Sequence, residues 1–149
     1  KKERELYFNA IKIMRNTSTE LGRKLFGERF REYDFLVFKH AVSALNECAD
    51  QGHLPHNVIT FHRALLLEFE LSVLSVANKI EPSTSLQGIP YWNWFIDIRS
   101  RNRSLLESSV WKWWGSPYGD PQNSYCIHDP VFETKVLKLQ SSDATITNP

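Results

Sequence analysis

The sequence predicts a mainly α-helical domain, an antiparallel helix bundle followed by an aromatic-rich, irregular C-terminal layer. Three observations predict it. Four segments before residue 82 carry apolar residues at helical spacing. Strand-like alternation is confined to one short stretch, Phe132 to Leu139. All five tryptophans fall between Trp92 and Trp114, a concentration that suits a packing layer rather than a scattered surface feature.

The first helix is predicted from Lys2 to Arg15, where Leu6, Ala10, Ile13 and Met14 lie near one face. Asn16-Thr17-Ser18-Thr19 interrupts it and offers an N-cap for a short second helix, Thr19 to Phe26, which Gly27 ends. A third helix spans Arg31 to Cys48, with Phe35, Phe38, Val42 and Leu45 as its apolar stripe and His40 beside that stripe. Gly52 and Pro55 prevent its continuation, so residues 50–57 read as a loop.

The fourth and longest helix runs from Val58 to Lys79. Leu66, Phe69, Val73, Val76 and Ala77 share one face, and His62 sits one turn before Leu66 on it. Glu81-Pro82-Ser83-Thr84 ends this helix. Further on, Ile89-Pro90-Tyr91-Trp92-Asn93-Trp94 is too aromatic for a solvated loop, and Ser104 to Trp113 is a candidate short helix. Residues 114–121 are turn-rich. No internal repeat and no linker divides the chain, so residues 1–139 read as one domain and 140–149 as a polar tail.

A formal charge of +1 argues against nucleic acid as a partner, since such domains usually carry a strong basic excess. The longest apolar stretch, Val58 to Ala77, is interrupted by His62, Arg63, Glu68 and Glu70, which excludes it as a transmembrane helix. The first residues, Lys1-Lys2, carry neither a methionine nor a signal-like apolar segment, and a processed chain is the expectation. Cys48 and Cys126 are too few for a disulfide framework. They either pair in an oxidising compartment or remain buried thiols.

The histidines carry the chemistry. His40 lies on the third helix, His53 on the following loop, and His62 in the first turns of the fourth helix. Two antiparallel helices joined by a short loop can aim three such imidazoles into one space, as helix-bundle metal sites do. Three neutral imidazoles suit copper, zinc or iron rather than calcium or magnesium. With no carboxylate or thiolate in the set, copper rises among these. The bland alternative is that each is a core, cap or surface histidine. His56 reads as a loop residue and His128 as a turn residue.

The stretch His53-Leu-Pro-His-Asn-Val-Ile-Thr-Phe-His-Arg, continuing to Leu66 and Phe69-Glu70, resembles the first copper-binding signature of the tyrosinase, catechol oxidase and molluscan haemocyanin family. The nine positions from His53 to His62 match that signature. Ile89-Pro-Tyr-Trp-Asn-Trp resembles the family's downstream aromatic motif. Gly115 to Gly119, with Cys126-Ile-His-Asp-Pro-Val-Phe, more weakly resembles the linker before the family's second copper site. The resemblance covers Tyr33 to Phe132 and departs from the family pattern in places. Phe61 stands where Trp is usual, Thr60 and His56 where Pro is frequent, and Asn93 where Asp is usual.

The resemblance implies a tyrosinase-type helix bundle, copper as cofactor, and His40, His53 and His62 as ligands of one copper. It implies that Phe61, Phe69, Trp92 and Trp94 pack around the site, with Asn93, Asn46 and Glu47 as candidates to orient the imidazoles. Arg63 and Glu70 are expected as a structural charge pair. A type 3 centre holds two coppers on three histidines each, yet after His62 only His128 remains. The second half is therefore expected on a further segment or a second polypeptide, in a copper oxidoreductase acting on phenols or catechols with O2. The alternatives are haemocyanin-like O2 binding and a non-catalytic scaffold or assembly subunit. The expected compartment is secreted or an organelle lumen.

Overall fold

A computed structural model describes residues 2–45, 52–53, 56–84, 86–101, 104–115 and 117–123. They divide into two units, one up to Ile89 and one from Pro90 onward. The chain is mainly helical, and no strand forms among the described residues. The expected strand at Phe132–Leu139, both cysteines and His128 lie outside them.

In the first unit, α1 (Lys2–Asn16) packs chiefly on α4 (Val58–Ile80), with α2 (Thr19–Phe26) and α3 (Tyr33–Leu45) completing the bundle. The core is made where α1 meets the second half of α4. Leu6, Tyr7, Phe8, Ala10, Ile11 and Met14 of α1 are buried, together with Ser72, Val73, Val76 and Ala77 of α4. The face of α1 is broader than its apolar spacing predicts, and Ile13 is only half-buried. Because residues 6, 7, 10, 11 and 14 are all apolar, a wide stripe is driven inward.

Local chemistry sets the boundaries of α2. The Ser18 hydroxyl accepts from the Leu21 N–H at 3.3 Å, capping the first turn. Gly27 ends the helix at φ 101°, a conformation most side chains resist. Gly22 is required for a different reason. The Phe30 ring occupies the place where a Cβ on residue 22 would go, and Phe30 is fully buried and stacks on Phe26. The turn after α2 is then fixed to α4. The Ser72 hydroxyl accepts from the Arg31 N–H at 2.9 Å and donates to the Arg31 carbonyl at 2.8 Å.

The α3 face differs from the predicted stripe. Leu36 is buried at 5% exposure whereas Phe35 is 41% exposed. In the run Phe35-Leu36-Val37-Phe38 every residue is apolar, so spacing alone cannot choose the inward one. The correction places His40, four residues after Leu36, on the inward face rather than beside it. On α4, Leu66 likewise turns outward, at 53% exposure.

The second unit holds α5 (Trp94–Arg101), a 3-10 turn at Leu105–Glu107, α6 (Trp111–Trp114) and a second 3-10 turn at Pro121–Asn123. The candidate helix at Ser104–Trp113 is thus two short pieces. The Asp97 carboxylate gathers this unit, accepting from Trp92 Nε1 at 2.8 Å and from the Ser108 hydroxyl at 2.7 Å. Trp92 meets Trp111 edge-on at 5.4 Å. Trp94 is not packed inside a dense aromatic cluster, being 51% exposed beside Phe95.

Candidate metal centre

Helices α3 and α4 run antiparallel, and two ring contacts share one register. Tyr33 meets Phe69 edge-on at 6.2 Å, and His40 meets His62 at 5.2 Å. Each pair is seven residues from the other on both helices, which is two turns. A contact near the start of α3 therefore recurs where the two helices approach the loop, and there the two residues are histidines.

His53 completes the set from the loop, with ring centroids 5.2 Å from His40 and 5.7 Å from His62. The donor nitrogens of the three lie within 4.8 Å of one another. The Nε2 atoms of His40 and His62 are 3.2 Å apart. Metal–imidazole bonds of about 2.0–2.1 Å place neighbouring donors of a tetrahedral site roughly 3.3 Å apart. The observed separation fits one ion held between the two rings.

The tautomer of His62 follows from its second nitrogen. Nδ1 lies 2.7 Å from the Val58 carbonyl, one helical turn earlier, and a carbonyl can only accept. Nδ1 therefore carries the proton and Nε2 presents its lone pair to the shared space. His40 Nε2 stands opposite that lone pair, and with its own proton on Nδ1 it would offer a second lone pair to the same space. Such a partner on the far nitrogen is what fixes a ligating imidazole.

Phe61 closes one flank. Its ring lies nearly parallel to His40, at 6.2 Å and 25°, and edge-on to His62 at 5.4 Å. His40 and His62 are half-buried whereas His53 is exposed, so the loop side of the site faces solvent.

Of the residues singled out from sequence, His40, His53 and His62 are brought together, with Phe61 against them. His56 is exposed and stays outside the cluster. Phe69 contacts Tyr33, two turns along α4 from His62. Trp92, Asn93 and Trp94 belong to the second unit. Asn46 and Glu47 lie outside the described residues. No Arg63–Glu70 ion pair forms. Glu70 instead accepts from the Ile89 N–H at 3.2 Å, holding the segment after α4.

Sequence spacing missed two contributors. The Val58 carbonyl is backbone, so no residue type announces it. The ion pair of Lys39 and Glu68, with Nζ–Oε distances of 2.8 and 2.9 Å, joins α3 to α4 beside the histidines. No protein-family model, no curated protein and no solved structure matches this chain.

Proposed function

We propose that this chain carries the first copper site of a type 3 copper oxidoreductase of the tyrosinase kind, oxidising phenols or catechols with O2. One observation carries the reading. Three imidazoles converge on one space, with His62 Nδ1 turned to the Val58 carbonyl and Nε2 facing the other two rings. That donor set suits copper, zinc or iron, and the choice of copper follows the sequence resemblance.

When bound, copper would supply the redox capacity. The chain's own residues supply the rest. His40 and His62 would hold the ion from facing helices, and His53 would hold it from the solvent side. Phe61 shields the ring face of His40 and limits water on that flank. Beside the site, Ile59, Leu66 and Leu67 expose 76%, 53% and 53% of their surface. Apolar side chains exposed on one helix suit a surface that another polypeptide segment covers, which supports a second copper-bearing half. A secreted or luminal location accompanies this reading.

The test is metal titration of the purified chain with cupric ion, followed by a catechol oxidase assay on a protein that includes the second half. One copper per chain, lost in His62→Ala, is the expected result. Failure of the folded chain to retain copper would overturn the reading and favour a non-catalytic scaffold. Copper retention without oxidation of catechol, but with reversible O2 binding, would make it an oxygen carrier.

A further inference from the structure

We infer that Lys39 and Glu68 are positioning residues that set the spacing of the metal donors across α3 and α4; the inference rests on the three-histidine site being a metal centre. None of residues 37–44 on α3 and none of residues 58–71 on α4 is buried. Among the described side chains of these two helices, the buried ones are Leu36 on one and Ser72, Val73, Val76 and Ala77 on the other, all toward the opposite end. The fully buried core therefore ends before the histidines, where the side chains between the helices are half-buried at most.

A polar link joins the helices there. Among the described residues, the ion pair or hydrogen bond between 37–44 and 58–71 that does not involve a histidine is Lys39 Nζ to both oxygens of Glu68. Lys39 immediately precedes His40, so any shift of α3 away from α4 moves both. Glu68 lies six residues after His62 on a continuous helix, so its position and that of His62 move together. The two side chains are 40% and 38% exposed, which leaves the pair open to screening by salt. In this arrangement a clamp of modest strength holds His40 and His62 at the separation one ion needs.

The sign of one substitution separates this role from its rivals. Lys39→Met removes a positive charge near a cation site and releases a carboxylate. Simple electrostatics, or capture of the metal by the released Glu68, would tighten metal binding. Loss of the clamp weakens it. Competition titration of the chain with cupric ion is expected to show Lys39→Met binding on the order of fivefold more weakly, the range of a partly exposed ion pair. The charge-swapped double variant, Lys39→Glu with Glu68→Lys, is expected to recover most of the loss.

The visible and EPR spectra of the copper-loaded variant should change with the affinity, since they report the geometry of the donors. The salt dependence is a further readout. Raising NaCl should weaken copper binding by the native chain more steeply than by Lys39→Met. Unchanged or tighter binding by Lys39→Met, with helix content retained by circular dichroism, would overturn the inference while leaving the copper reading intact. Failure of the native chain to bind copper would overturn both. If Lys39→Met does not fold, the swapped variant decides alone: binding within twofold of native supports the clamp, and a larger loss overturns it.

Discussion

Ser72 on α4 closes a two-bond ring with the backbone of Arg31, accepting from its N–H and donating to its carbonyl. Ser72 is fully buried, and the bonds fasten the turn between α2 and α3 to the centre of the longest helix. Ser72→Ala leaves both backbone groups without this partner and should cost about 2 kcal/mol. Urea denaturation would show it as a lower midpoint at unchanged slope. Valine at this position should cost more, because the added methyl meets a packed neighbourhood.

Gly22 and Phe30 make a second, steric lock. Gly22→Ala places a methyl where the Phe30 ring sits, so the ring must leave its pocket or α2 must lift. A loss of roughly 1–3 kcal/mol is expected, as for other overpacked core positions. Phe30→Ala should cost about 3–5 kcal/mol through the cavity it opens. Combining Gly22→Ala with Phe30→Leu should cost less than the sum of the two single changes. Additive values in that double-mutant cycle would contradict direct contact.

Metal should stabilise the first unit and do so through three residues. Ligand in thousandfold excess over its dissociation constant raises stability by about 4 kcal/mol. Addition of cupric ion should raise the melting temperature of the native chain, and a chelator should reverse it. Each of His40→Ala, His53→Ala and His62→Ala should abolish most of the shift, whereas His56→Ala should leave it unchanged. A full shift in His53→Ala would remove the loop histidine from the ligand set.

Alkaline pH should unfold the first unit by a route that Tyr7 controls. Burial raises the Tyr7 phenol above its ordinary range, and the neighbouring Tyr33 adds to the rise. Burial also raises Tyr33, with the Arg15 guanidinium opposing. A raised phenol binds its proton more tightly in the folded than in the unfolded chain. The resulting stability is complete below about pH 10 and declines as pH climbs from there toward the raised folded value. Tyr7→Phe should flatten that decline by up to about 1.4 kcal/mol per pH unit, measured by denaturation between pH 9 and pH 11. An unchanged slope would remove Tyr7 from the alkaline transition.

How much of this was legible in the sequence varies by element. Helix α2 was readable to the residue because Ser18 and Gly27 are strong local signals at its two ends. Helix α4 was readable from its length and from Gly52 and Pro55 before it. Helix α5 was not. Trp94-Phe95-Ile96 has poor helix propensity, and the turn depends on Asp97 reaching Trp92 and Ser108, contacts that no local pattern encodes. In the site, the three histidines were legible because residue type and spacing carry them. The side chain facing inward from α3 was not, since Phe35 and Leu36 are equally apolar and only packing separates them. Charge alone pairs Glu70 with Arg63, whereas the Ile89 N–H takes its carboxylate in the fold.

The division of α4 into a half with fully buried side chains and a half without them implies two exchange regimes along one continuous helix. Amides around Ser72 to Ala77 lie over the core and should exchange with deuterium only when the whole unit unfolds. Amides from His62 to Leu67 have no buried side chain above them and should exchange through fraying from the loop end, far sooner. An ion held by His40 and His62 would tie the frayed end to its neighbour. Its arrival should slow exchange in that half by orders of magnitude and leave the other half almost untouched.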